Sequence, residues 1–139
     1  MHAIVYVSSA TRYIDEEVIE HLLKACRVNN KTHGVTGVLL HHDSNFIQYI
    51  EGNKQELELV YNHIKSSRLH RNIFELLNEP IPVRRFSDWN MGYTAAPENL
   101  MLELELAKWT SIKHDLQAID DHSDGVSLLL NFWKQSNKI

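Results

Sequence analysis

The sequence predicts an α+β fold of the ferredoxin-like type, βαββαβ, with one additional strand and a C-terminal helical extension. Short apolar segments of strand character alternate with segments in which apolar residues recur at helical spacing. The length of 139 residues, with 43% hydrophobic content, suits one domain with a real core. Both helices of the βαββαβ unit should pack on one sheet face, because connections between parallel strands cross right-handed.

The first half of this unit follows from helix caps and apolar periodicity. The first strand should run from His2 to Ser9, and Asp15 can cap the helix that follows. Gly34 should end that helix. A second strand, Val35 to His42, leads through residues 43–45 into a third strand that ends at Gly52. The first helix has one stripe at helical spacing: Ile19, Leu23, Cys26 and Asn30.

The second half repeats the helix-and-strand pattern. Asn53 and Glu56 resemble a capping box at the start of a second helix. A fourth strand should cover Ile73 to Leu77, and two prolines then interrupt the chain. A fifth strand is expected from Trp89 to Tyr93. The second helix has a buried stripe: Leu57, Val60, Tyr61 and Ile64.

The composition shifts after Thr94, so we expect one domain over residues 1–95 and a helical extension over residues 96–139. Pro97 suits the first turn of a helix whose pattern continues through Leu100, Leu104, Ala107 and Trp109. After a break at residues 120–125, a final helix should bury Val126, Leu129, Leu130 and Trp133. This extension is too short for a domain, so it should cap the free sheet face or mediate self-association.

Composition and motifs exclude several classes of function. A net charge of −4 argues against binding to a nucleic-acid backbone. The single cysteine, Cys26, excludes an intrachain disulfide and suggests a reducing cytoplasm. Neither a signal peptide nor an apolar run that could span a bilayer is visible. The histidine and cysteine spacings predict no metal site, and no nucleophile has a credible activating base.

A buried amide is the most informative feature of the third strand. Gln48 shares one strand face with Phe46 and Ile50, and an unsatisfied amide there would cost about 1–3 kcal/mol. A backbone group or a water could satisfy it. The first and third strands are neighbours in a ferredoxin-like sheet, however, so Tyr6 and Asn30 should converge with Gln48 near the groove between the two helices.

Four motifs occur along the sequence in this order: Asn29-Asn30, Gly34 to Leu40, Phe46 to Gly52 and Trp89 to Tyr93. In these motifs the sequence resembles a known family, the BLUF domain of blue-light sensors that use FAD. The resemblance covers roughly residues 1–94, and the tail is similar to that of short stand-alone members. It implies FAD bound noncovalently between the two helices, and a photoreceptor rather than an enzyme. Partners would be a downstream signalling protein of unknown identity and other copies of the chain.

The resemblance also implies roles for individual residues. Tyr6 matches the tyrosine that gives an electron and then a proton to the excited flavin, and Gln48 matches the glutamine between them. Strand alternation predicts that Trp89 and Met91 share one face of the last strand, and the resemblance implies that one of them changes its contacts when Gln48 rearranges. Leu69 stands where the family often has arginine, which leaves Arg68 and Arg71 as replacements. Further cofactor contacts would come from Asn29, Asn30, His63, Arg68 and His70.

Two other functions fit the same fold class. A flavin-dependent redox enzyme of ferredoxin-like fold could use the same groove, but it would need a substrate site and a catalytic group. An RNA-binding βαββαβ module would need exposed aromatic residues on the sheet and a basic surface, which the acidic balance of the chain disfavours.

Overall fold

The chain forms a five-stranded mixed sheet with helices on both faces, which confirms the predicted α+β, ferredoxin-like fold class. The structure is a computed structural model and describes residues 1–109 and 124–136. Its strands are β1 (His2–Ala10), β2 (Thr36–His42), β3 (Asn45–Gly52), β4 (His70–Pro80) and β5 (Gly92–Ala95). Its helices in the described ranges are α1 (Glu16–His33), α2 (Lys54–Ser66), α3 (Glu98–Leu106) and α4 (Gly125–Gln135).

The strand order is β4-β1-β3-β2-β5, so β1 and β3 lie in the interior of the sheet. β1 runs antiparallel to both of its neighbours, and β5 pairs in parallel with β2. Tyr6 on β1 lies directly opposite Gln48 on β3 and directly opposite Glu75 on β4. Paired residues of adjacent strands point to the same sheet face, so one row combines an amide, a phenol and a carboxylate.

Each face of the sheet has its own apolar core. On one face, α1 and α2 bury side chains such as Leu23 and Leu57 against Ile4 and Ile50 of the central strands. On the other face, residues of α3 and α4 pack with β1, β2 and β3. The side chains that the two C-terminal helices contribute are Met101, Leu104, Val126, Leu129 and Trp133.

The ends of α1 follow the predicted capping chemistry. The carboxylate of Asp15 accepts a hydrogen bond from Val18 N at 2.9 Å, which satisfies one free amide of the first turn. Gly34 ends the helix with φ 65°, a left-handed conformation in which a side chain would be strained. Both predicted caps of this helix are therefore confirmed.

The start of α2 differs from the prediction. Asn53 caps the helix by accepting from Gln55 N at 3.1 Å. Glu56, expected to complete a capping box, instead places its carboxylate 2.5 Å from Nδ1 of His33. The capping-box prediction is wrong because the end of α1 brings an imidazole within reach of Glu56. This contact joins the two helices that pack on the same sheet face.

The fifth strand also differs from the prediction, because it begins at Gly92 rather than Trp89. The ladder with β2 starts at the pair Val38 and Gly92. Trp89 lies in a turn, where its amide donates to Phe86 O at 3.1 Å and its carbonyl accepts from Gly37 N at 2.9 Å. Strand alternation therefore does not apply between Trp89 and Met91.

The C-terminal extension contains the two expected helices in its described part. α3 begins after Pro97 and ends at Leu106, earlier than the apolar pattern predicted. The indole Nε1 of Trp109 donates to Leu104 O at 2.8 Å, so the chain folds back on the helix end. Asp124 caps α4 through Ser127 N. Most of the predicted break, residues 120–123, lies outside the described residues.

Candidate cofactor groove

A groove of about 250 Å³ lies between α1 and α2, over the central strands. Its walls are mostly apolar and include Leu22, Leu39, Phe46 and Ile64. This combination of apolar walls with a few convergent polar groups is typical of a small-molecule site. The polar side chains among the lining residues are Tyr6, Asn29, Asn30, Gln48, His63, Ser67 and His70.

Tyr6 and Gln48 form a buried polar pair at the floor of this groove. The Tyr6 hydroxyl donates a hydrogen bond to Oε1 of Gln48, and each residue is only 3% exposed. Burial raises the pKa of Tyr6 well above its usual value, and Cys26 and Tyr61 raise it further. At neutral pH the phenol is therefore a hydrogen-bond donor, and it fixes the carbonyl end of the Gln48 amide.

The amino end of the same amide contacts the segment before β5. Nε2 of Gln48 donates to Sδ of Met91 at 3.3 Å, and Met91 is 1% exposed. Two α1 side chains hold the backbone there: Nε of Arg27 donates to Met91 O at 2.9 Å, and Nδ2 of Asn30 donates to Asn90 O at 2.6 Å. Sequence reasoning missed Arg27, although it lies one turn before Asn30 on the same helix.

The two tryptophan residues nearest this segment lie on the opposite face. Trp89 packs against the core of that face, and its ring meets Trp133 of α4 edge to face at a centroid distance of 5.5 Å. Met91 belongs to the core of the groove face. The expectation that Trp89 and Met91 share one face is therefore wrong, because neither residue lies in a strand.

The remaining predicted contacts differ in their relation to the groove. Asn29 and His63 line it. His70 also lines it, but Nε2 of His70 donates to Ile64 O at 2.8 Å, and Nδ1 lies 2.9 Å from Ser8 Oγ. Contacts with the protein therefore occupy both ring nitrogens. Arg68 is exposed and lies outside the groove lining, so its cofactor contact stays a prediction.

A buried carboxylate that sequence reasoning missed holds the chain just before Trp89. Glu51 is 0% exposed, and its two oxygens accept from the backbone amides of Arg85 and Phe86, each at 2.7 Å. Thr36 Oγ1 and Tyr49 Oη also donate to it, at 2.9 and 3.1 Å. The available signal was the charged residue Glu51 in a mostly apolar strand, because a buried carboxylate requires several donors.

Neither a metal site nor a membrane-spanning helix is found among the described residues. Residues 1–109 and 124–136 contain no group of three or more histidine, cysteine, aspartate or glutamate side chains arranged to hold a metal ion. Within the same ranges, no helix combines the length and the apolar content needed to cross a membrane.

Fold and groove together define a ferredoxin-like domain that can hold a flat aromatic ligand between two helices. Apolar walls suit the faces of a ring system, and the amides of Gln48, Asn29 and Asn30 suit a ring edge with both donors and acceptors. A flavin ring has this character. The residues present therefore fit a flavin.

The sequence comparison identifies the family. The profile of the family described as BLUF, sensors of blue light using FAD, matches residues 1–92. The chain belongs to this family of flavin-binding blue-light sensors, whose relatives are light-regulated signalling proteins. The resemblance predicted from the motifs is confirmed.

Individual relatives agree with this assignment. The blue light- and temperature-regulated antirepressor BluF of Escherichia coli (strain K12) is 37% identical over 79 residues, which are 55% of this chain and 20% of that protein. The chain therefore spans about a fifth of that relative. The dark-state structure of BlrB, a BLUF protein, has a TM-score of 0.71 and 27% identity and covers 94% of this chain and 92% of BlrB. Photo-activated BlsA, at 22% identity and TM-score 0.72, shares the fold over 100% of this chain and 99% of BlsA.

Proposed function

We propose that the chain is a photoreceptor that binds FAD noncovalently and signals through a hydrogen-bond switch at Gln48, without being an enzyme. The main support for this proposal is the pair of contacts made by the buried Gln48 amide. Its carbonyl oxygen accepts from the Tyr6 hydroxyl, and its amino group donates to the Met91 sulfur. The amide therefore joins the floor of the groove to the segment that leads into β5.

A bound flavin supplies absorption of blue light and an electron-accepting excited state. Tyr6 is the proposed donor of an electron and then of its hydroxyl proton, because oxidation makes a phenol strongly acidic. Gln48 can exchange donor for acceptor at either end by rotation or tautomerisation, without gaining charge. Rotation ends the present donation to Met91 and leaves its thioether to repack.

The proposed cofactor contacts are Tyr6, Asn29, Asn30, Gln48, His63, Arg68 and His70. Six of these line the groove, which supports them as a set. For His70 the support is for packing rather than hydrogen bonding, because both ring nitrogens bond to the protein. The choice of FAD over FMN rests on the family description.

The proposed output uses the helical extension, residues 96–139, as a cap on the domain of residues 1–95. Trp89 lies two residues before Met91 and packs on Trp133, so a change at Met91 has a short route to α4. Leu102 and Leu106 on α3 are 51% and 85% exposed, which supports a role for this helix in self-association or in binding a downstream protein. We further propose a cytoplasmic location, with which the unpaired Cys26 is compatible.

The test is a purification followed by illumination. We expect a yellow protein that releases FAD on denaturation and whose absorption shifts reversibly to longer wavelength under blue light. Tyr6→Phe should retain the cofactor and greatly suppress the shift. A chain that takes up no added flavin would contradict the proposal, and a flavin-bound chain without a reversible shift would favour the redox-enzyme alternative.

A further inference from the structure

A second tyrosine lies beside Tyr6 and is bonded to a carboxylate. The rings of Tyr6 and Tyr61 have centroids 5.8 Å apart with a 38° interplanar angle, within the range of packed aromatic pairs. Tyr61 is 4% exposed, and its hydroxyl donates to Oε2 of Glu75 at 2.9 Å. Glu75 is exposed on β4, directly opposite Tyr6.

We propose that Tyr61 and Glu75 form a second redox site. Tyr61 reduces oxidised Tyr6 and becomes oxidised in its place, while Glu75 takes the Tyr61 proton. This inference rests on the proposed function, which supplies the oxidised Tyr6. In the step, Tyr6 has lost one electron and still carries its hydroxyl proton. One electron moves from Tyr61 to Tyr6, and the Tyr61 hydroxyl proton moves to the Glu75 carboxylate.

The step balances in atoms and charge. Tyr6 returns to a neutral phenol, Tyr61 becomes a neutral phenoxyl radical with its O–H bond broken, and Glu75 becomes a carboxylic acid with a new O–H bond. One positive and one negative charge are present before the step and neither after it. Because Glu75 is exposed, water can remove the transferred proton afterwards.

The direction of transfer follows from the two hydrogen-bond acceptors. Tyr6 donates to the amide oxygen of Gln48, whereas Tyr61 donates to a carboxylate. A carboxylate is a far stronger base than an amide oxygen, so it accepts the proton of an oxidised phenol more readily. Oxidation is therefore easier at Tyr61 than at Tyr6. Electron transfer from Tyr61 to oxidised Tyr6 then competes with the rearrangement of Gln48.

Lys65 opposes this transfer. Its ammonium lies 4.5 Å from the Tyr61 ring centroid, where a positive charge makes removal of an electron harder. The lysine is exposed, so solvent and salt weaken its effect. Removing this charge should therefore increase transfer to Tyr61, the opposite sign to removal of Glu75.

The test uses the flavin-loaded full chain after a blue flash. Electron paramagnetic resonance of freeze-quenched samples measures tyrosine radical decay, and infrared difference spectra measure a transient carboxylic-acid band. In the unaltered protein we expect a slow radical component together with that band. Tyr61→Phe and Glu75→Gln should each lose both signals, and Lys65→Gln should enlarge both.

Two control variants separate the possible failures. Tyr93 is a partly buried tyrosine on β5, with two strands between β5 and β1, and Tyr93→Phe should leave both signals unchanged. Unaltered radical decay and infrared band in both Tyr61→Phe and Glu75→Gln would overturn the second redox site. If Tyr6→Phe kept the full reversible spectral shift, the proposed function itself would fail, and the site with it.

Discussion

The amide of Gln48 contacts the thioether of Met91, with 3.3 Å between Nε2 and Sδ. A thioether is a weak acceptor, so this contact holds the amide less firmly than a carbonyl would. The other end of the amide accepts from the Tyr6 phenol. The carbonyl end of the Gln48 amide is therefore held strongly by Tyr6, whereas its amino end is held weakly by Met91.

The first prediction concerns the loss of the amide. Gln48→Leu keeps roughly the same volume but can neither accept from Tyr6 nor donate to Met91. We expect flavin binding to persist and the reversible red shift to disappear, as measured by absorption spectra before and during blue illumination. Stability should fall by about 1–3 kcal/mol, because the Tyr6 hydroxyl loses its buried partner.

The matched control is Gln55→Leu, which removes an exposed amide from the first turn of α2. It should leave both the flavin content and the shift unchanged. A normal reversible shift in Gln48→Leu would show that the amide is not the switch.

The second prediction concerns the weak end of the amide. Met91→Leu removes the sulfur acceptor and approximately preserves volume, so the dark arrangement loses about 0.5–1 kcal/mol. We expect the shift to form and its dark recovery to slow about two- to fivefold, as measured by absorbance after illumination.

Met101→Leu is the control for this change, because Met101 is a buried methionine in the core of the opposite sheet face. Its recovery should match that of the unaltered protein. Equal recovery rates in all three proteins would show that the sulfur contact does not stabilise the dark arrangement.

The sequence predicted the floor of the groove because local rules determine it. Strand alternation gives the face of Tyr6 and Gln48, and helical spacing gives the face of Asn30. Those rules stop at Trp89, where a turn places Trp89 and Met91 on opposite sides of the sheet. The pairing of Tyr61 with Glu75 depends on a register across β1 and β4 that shifts next to Tyr6, which no local pattern reveals.

The third prediction concerns the carboxylate that anchors the segment before Trp89. Glu51→Gln replaces one accepting oxygen with an amino group, which then faces a backbone N–H donor. We expect the free energy of unfolding to fall by about 2 kcal/mol, because hydrogen bonds to a charged group are lost in a fully buried site. Urea denaturation measures this change.

Glu58→Gln is the control, since Glu58 is exposed on α2 and its substitution should change stability by about 0.5 kcal/mol or less. If Glu51→Gln were as small in effect, the contacts with Arg85 and Phe86 would contribute little to the fold.

The fourth prediction concerns alkaline pH. Burial raises the pKa of Tyr6, so above about pH 10 the unfolded chain releases this proton while the folded protein keeps it. The resulting contribution to stability is complete below pH 10 and is lost as the pH rises toward the folded-state pKa. One such group lowers the free energy of unfolding by up to about 1.4 kcal/mol per pH unit in that window.

Tyr6→Phe should remove this share of the alkaline slope when urea unfolding is compared at several pH values and equal flavin loading. Burial raises the pKa of Tyr61 and Tyr93 as well, so part of the slope should remain. An identical slope in Tyr6→Phe and the unaltered protein would mean that the phenol ionises as readily in the groove as in water. That result would contradict burial of Tyr6 away from water at the base of the groove.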